Sequence, residues 1–246
     1  MHAPLVSILV ALAVLVSACG GVLEKKYEYE EELYLDLDGS ATAYVNASVP
    51  ALVALRGADL DVNPRARLDR ERVRALFDAP GVDVSRVSLS RRDGRRFVHV
   101  RVDAVRLEDL RKSVPFAWSS YQVTRRDEVV EFHQVVGAPA AQRIGDVGWT
   151  GEERVAFRMH LPSRITFNNS RSPVQRGNIL KWEQSLAERL KGVPLDIEAH
   201  MEPESILRHT LMLFGATIVA AAAAFALVIW WIARKGRTAE IVESRS

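Results

Sequence analysis

From Leu211 to Ala233 the chain runs for 23 residues, LMLFGATIVAAAAAFALVIWWIA, without a charged side chain. At about 1.5 Å of helical rise per residue, such a run crosses a hydrocarbon core of roughly 30 Å. It predicts one transmembrane helix, so whatever folds in water must lie before it. Trp230 and Trp231 precede Arg234, Lys235 and Arg237, an interfacial aromatic pair followed by a basic cluster, while Glu202, Glu204, Arg208 and His209 flank the other side. Positive charge collects on the cytoplasmic side of a bilayer, which puts the short tail inside and the preceding domain outside. Gly215, Ala216 and Ala220–Ala224 are small enough for close helix packing, but the alanines surround the helix and specify no single stripe.

A second, shorter apolar run, Ala3 to Leu15, leads into Val16-Ser17-Ala18-Cys19. An apolar segment of that length followed by a small-residue cleavage site ending in cysteine is the pattern of a bacterial lipoprotein signal. The first four residues carry His2 and neither lysine nor arginine. The expected organisation is a signal peptide over 1–18, an extracytoplasmic domain over 19–205 beginning at a lipidated Cys19, a transmembrane helix with its lead-in over 206–233, and a cytoplasmic tail over 234–246. The chain would be a single-pass protein of the bacterial cytoplasmic membrane. A spanning helix already holds a protein effectively irreversibly, so a second anchor is expected to fix orientation.

Cys19 is the only cysteine, so the domain carries no disulfide and its fold rests on packing. Charge is unevenly spread. Residues 22–38 hold seven acids against Lys25 and Lys26, whereas residues 65–126 hold sixteen basic side chains against eight acids. Opposite faces of one fold whose charges partly meet would explain this, and so would an arginine-rich surface that faces anionic lipid headgroups or an acidic partner. Nucleic acid is not an expected partner of a domain outside the cytoplasm.

The segment YEYEEELYLDLD from Tyr27 alternates as a half-buried strand does and turns at Asp38-Gly39-Ser40 into ATAYVNASV. Residues 68–79 place Leu68, Val73, Leu76 and Phe77 on one side of a helix. VDVSRVSL and RFVHVRV make a hairpin about Arg92-Asp93-Gly94, and a third hairpin joins WSSYQVTRR to EVVEFHQVV about Asp127. Residues 106–114 suggest a short helix, residues 153–167 and 178–183 two strands, residues 180–190 a helical drift, and LDIEAHM a last strand. The fold class is α+β: a curved, mainly antiparallel sheet of about seven to nine strands with two or three helices, plus the C-terminal transmembrane helix. A curved sheet of this kind encloses an apolar space that side chains fill or a ligand enters. Leu35, Val45, Val98, Val100, Val130, Phe132 and Phe157 are candidates to line it.

Catalytic patterns are absent from the sequence: there is no G-x-S-x-G, H-E-x-x-H or S-x-x-K, and no glycine-rich phosphate loop. His99, His133, His160 and His200 each fall alone on an expected strand, which speaks against a metal site. Glu30, Glu31 and Glu32 alternate faces and read as solvated charge. Asn46-Ala47-Ser48 and Asn168-Asn169-Ser170 match glycosylation sequons by chance.

The stretch Met159-His-Leu-Pro-Ser-Arg-Ile-Thr-Phe-Asn-Asn, followed by Arg176-Gly177-Asn178-Ile-Leu-Lys-Trp182, resembles the LppM-like lipoprotein family. The order of lipoprotein signal, opening hairpin, α+β domain, membrane helix and basic tail resembles that family as well, with Ser163 standing where it usually has glycine. The resemblance implies a non-enzymatic envelope lipoprotein with a lipid-binding type of domain, and brings no catalytic residue with it.

The expectation is therefore an anchored lipoprotein, without enzymatic activity or cofactor, whose exported domain binds a lipid or other amphiphilic envelope molecule. Phe132 and Phe157 would serve in an apolar space, and Arg91, Arg92, Arg95 and Arg96 at its charged surface. The other reading is an interaction scaffold for an envelope protein partner with no ligand.

Overall fold

The computed structural model describes residues 27–204 and the helical backbone of residues 206–243. Cys19 and the apolar run before it lie outside the described residues. Among the described residues, ten strands form two sheets. The larger contains β1 (Tyr27–Leu35), β2 (Ala41–Ser48), β3 (Val82–Arg92), β4 (Arg95–Ala104), β7 (Arg154–His160) and β9 (Ile179–Ser185), in the order β3-β4-β2-β1-β7-β9. The smaller contains β5 (Ser119–Arg125), β6 (Val130–Val136), β8 (Ile165–Asn168) and β10 (Leu195–Met201), in the order β5-β6-β10-β8.

The class is α+β and the pairing mainly antiparallel; β1 and β7 alone run parallel. All three expected hairpins form. At the β3–β4 turn, Asp93 and Gly94 take φ of 50° and 72°, the two left-handed residues that match the twist of a tight hairpin. The expected strand over 153–167 is interrupted at Leu161-Pro162-Ser163-Arg164, where the chain leaves the larger sheet as β7 and enters the smaller as β8. The chain thus passes from one sheet to the other between β7 and β8.

Among the described residues the sheets are accompanied by α1 (Val49–Arg56), α2 (Arg70–Phe77), α3 (Leu186–Leu190) and α4 (Ile206–Glu243), with 3-10 turns at Leu107–Lys112 and Val114–Phe116. Ser48 caps α1 by accepting from Ala51 N at 3.1 Å, and Gly57 closes it in the left-handed region. Every residue of α1 is buried, so it has no polar stripe to announce it as a surface helix. In α2 Asp69 caps the start, and Val73 and Phe77 are buried under an otherwise charged surface.

Between the sheets, Tyr29 lies edge-on to Trp118 at 5.3 Å between ring centroids, with Phe157 at 6.1 Å from Tyr29 and 6.0 Å from Trp118. Such aromatic clusters combine large apolar burial with favourable ring geometry. The segment Thr210–Trp231 of α4 is long and apolar enough to cross a membrane, with a mean hydropathy of 2.4 and none of its side chains buried.

Candidate functional site

The four arginines nearest the tip of the β3–β4 hairpin stand opposite one another in pairs, Arg91 with Arg96 and Arg92 with Arg95, yet they have different destinations. Arg95 turns inward. Its Nη2 lies 3.0 Å from Oε1 of Glu28, the two side chains are 8% and 0% exposed, and its Nη1 donates to Gly148 O at 2.9 Å. Trp149 Nε1 donates to the other oxygen of the same glutamate at 3.2 Å. Arg96 is also largely buried and donates to the carbonyls of Asp61 and, at 2.8 Å, Ala66. By binding those carbonyls, Arg96 pins the 61–66 segment against the hairpin.

That fixed loop forms one wall of a groove of about 330 Å³ lined by Arg65, Ala66, Arg67, Leu68, Leu89, Ser90, Arg91 and Arg96. Four arginines and two leucines thus line one concavity. Burial lowers the pKa of Arg96, and the nearby Arg91 cation pushes it the same way, while Asp61 opposes both. An anionic group in the groove would relieve the crowding of positive charge, and the guanidinium fork suits phosphate or carboxylate oxygens.

Arg92 lies in a second concavity of about 410 Å³, with Tyr27, Glu30, Asn46, Phe97, His99 and Arg158. Its guanidinium sits 4.3 Å over the Phe97 ring and donates to the Tyr27 carbonyl. Arg158 pairs with Glu30 at 3.0 Å. His99 is held between Asn46 Oδ1, 2.9 Å from Nδ1, and Ser90 Oγ, 2.7 Å from Nε2. With the amide oxygen accepting from Nδ1–H, Nε2 accepts from the serine hydroxyl. Burial lowers the pKa of His99, and Arg92 lowers it further, which favours this neutral form.

Phe132 and Phe157 are buried in the packing between the sheets and line neither concavity. The same interior holds a polar group that the sequence reading placed in solvent. Glu31 is 2% exposed and accepts from Tyr121 Oη at 2.9 Å, Gln134 Nε2 at 3.1 Å and Tyr29 Oη at 3.1 Å. Burial raises its pKa, against the pull of those three hydrogen bonds and of Arg56. Glu31 shares its strand parity with Tyr29, Leu33 and Leu35, and that was the available signal.

In the sequence Arg65 and Arg67 are two members of the long basic run, with nothing local to set them apart. Their grouping with Arg91 depends on the carbonyl bonds of Arg96, which no local pattern reveals. Among the described residues, no group of three or more His, Cys, Asp or Glu side chains is arranged to hold a metal ion.

No family model matches the chain, and no curated protein does. Among solved structures, the chain is similar to the folded domain of the LppM protein of Mycobacterium tuberculosis, determined by NMR, with a TM-score of 0.40 and 13% identity over 74% of this chain and 94% of that one.

Proposed function

We propose that this is a membrane-anchored envelope lipoprotein whose exported domain binds the charged headgroup of an anionic amphiphile and catalyses no reaction. The observation that carries the reading is the groove in which Arg65, Arg67, Arg91 and Arg96 surround Leu68 and Leu89. Cations supply the attraction to a phosphate or carboxylate, and the leucines supply apolar surface for the part of the molecule next to it. The binding determinant moves from the interior aromatics to the hairpin and the 61–68 loop, because Phe132 and Phe157 are occupied in packing the two sheets together.

The test uses the full chain in mild detergent, analysed by native mass spectrometry with phosphatidylglycerol as the probe. Retained lipid that disappears in Arg65→Glu/Arg67→Glu, with an unchanged circular dichroism spectrum, supports the reading. Equal retention by the wild type and this variant refutes it.

A further inference from the structure

The chain enters and leaves the folded domain at opposite ends. Tyr27 begins β1 beside the tip of the β3–β4 hairpin: its carbonyl accepts from Arg92, and its neighbours Tyr29 and Ala47 lead through Ser48 to Phe97 near the start of β4. The exit is at the other end. Tyr34 pairs with His160, the Leu161–Arg164 crossing follows, and β8 begins at Ile165 opposite Met201. Glu202 N donates to Arg164 O at 3.0 Å, which holds the departing chain there, four residues before α4 begins at Ile206.

The smaller sheet keeps the same alignment. Arg189, just past the end of β9, donates to Val136 O and Gly137 O, and Val136 pairs with Leu195 at the start of β10. Leu195 therefore lies toward the entry end and Met201 toward the exit. A ten-residue strand such as β4 covers roughly 30 Å at about 3.3 Å per residue, which sets the separation of the two ends.

The arginine groove belongs to the entry end, where the hairpin and the 61–66 loop meet. A domain standing on its membrane helix would carry that groove roughly 30 Å or more from the lipid. The length of chain before Tyr27 opposes this posture. Seven residues separate Cys19 from Tyr27. Whatever conformation they take, they reach at most about 28 Å, and a flexible chain of that length has a typical span of about 16 Å. Charge acts in the same direction. The groove itself is cationic and is drawn to anionic headgroups.

We propose that the domain lies along the bilayer, with the N-terminal tether drawing the arginine-lined groove onto the anionic lipid headgroups of the same membrane that holds the helix. This rests on the functional reading above, including lipidation of Cys19, and adds the posture and the source of the headgroup.

The test uses the full chain, produced in a bacterium that processes lipoproteins and reconstituted in phosphatidylglycerol nanodiscs. A donor dye is placed on Asp93→Cys at the hairpin tip, where acylation of Cys19 leaves one reactive thiol, and acceptor dyes are placed on the lipids. A protease site inserted after Gly21 allows the tether to be cut in place. Efficient energy transfer before cutting, corresponding to a tip within about 20 Å of the lipid, and a clear fall afterwards is the expected result.

A tip remote from lipid before cutting overturns the proposal. So does transfer that cutting leaves unchanged, or intact mass showing no diacylglycerol on Cys19. Loss of lipid retention in Arg65→Glu/Arg67→Glu is scored separately, so a groove that binds lipid on an upright domain is distinguished from a groove that binds none.

Discussion

Tyr121 of the smaller sheet donates its phenol hydrogen to Oε1 of Glu31 in the larger sheet, at 2.9 Å, in the buried interior where Gln134 donates to the same oxygen. Burial raises the pKa of Glu31 in the folded state from an ordinary 4.5, so the folded protein holds this proton more tightly than the unfolded chain. Stability linked to Glu31 is therefore fully present below about pH 4.5 and is lost as pH rises toward the folded value. Glu31→Gln removes this dependence while its amide oxygen keeps an acceptor for one of the two tyrosines. The melting temperature of the variant relative to wild type should rise with pH above 4.5. Glu31→Leu instead removes the acceptor of the buried Tyr29 and Tyr121 hydroxyls and should cost about 2–5 kcal/mol in urea unfolding below pH 4.5, and less as pH rises.

Arg91 and Arg95 are a few residues apart in one hairpin and should behave in opposite ways. Arg95→Ala leaves Glu28 as a buried carboxylate without its ion-pair partner, and should cost about 3–5 kcal/mol of stability. Arg91→Glu changes an exposed side chain of the groove. It should alter stability by less than about 0.5 kcal/mol and reduce retention of phosphatidylglycerol. Chemical denaturation of both variants, with native mass spectrometry of the second, checks the pair.

The strands were legible because alternation and turn chemistry are local. Asp38-Gly39 and Asp93-Gly94 mark their hairpins without reference to the rest of the chain. Their division into two sheets was not legible, since it depends on β7 pairing parallel to β1 across more than a hundred residues. Helix α1 is not legible in the sequence, because Val49–Arg56 is buried on all sides and shows no amphipathic period. The arginine surplus could be counted in advance, but nothing near Arg95 in sequence signals that Glu28 will meet it. Glu31 could have been identified by its parity with Tyr29 and Leu33, had its charge not suggested solvent.

Phe157 touches Tyr29 and Trp118 where the two sheets meet, so its substitution tests the sandwich and not a ligand. Phe157→Ala should cost about 3–5 kcal/mol, and Phe132→Ala a similar amount. Neither variant should lose phosphatidylglycerol selectively while it remains folded. Lipid retention measured at a temperature where each variant is native separates these outcomes.

His160 Nε2 lies 2.5 Å from Oε1 of Glu32, and that hydrogen bond lowers the pKa of Glu32 below 4.5, with smaller help from Tyr34 and Arg158 against the cost of burial. A depressed carboxyl pKa contributes stability above the unfolded value and loses it as pH falls through the folded one. Both side chains are partly exposed, so the contribution is modest. Glu32→Gln should lower stability by about 0.5–1 kcal/mol at neutral pH, and the difference should vanish in acid below the folded pKa of Glu32. Urea titrations at two pH values read it directly.

Arg56 ends α1 in the interior. Its guanidinium lies 3.9 Å over the Trp118 ring and donates to the carbonyls of Pro115 at 2.7 Å, Leu55 at 3.2 Å and Val114 at 3.2 Å. Burial brings its pKa down to about 10, with partial compensation from Tyr29 and Glu31. The unfolded chain therefore binds this proton more tightly, so the linked loss of stability is constant at neutral pH and is relieved only as pH rises from about 10 toward 12.5. Lysine would keep the charge but not the planar fork that serves three carbonyls and stacks on an indole. Arg56→Lys should thus leave at least one buried carbonyl unpaired and cost about 1–3 kcal/mol, with no dependence on pH between 6 and 8. If lysine proved equivalent to arginine in urea unfolding, charge alone would be holding α1 to the Pro115 turn, and the directional bonds would contribute nothing to its seat.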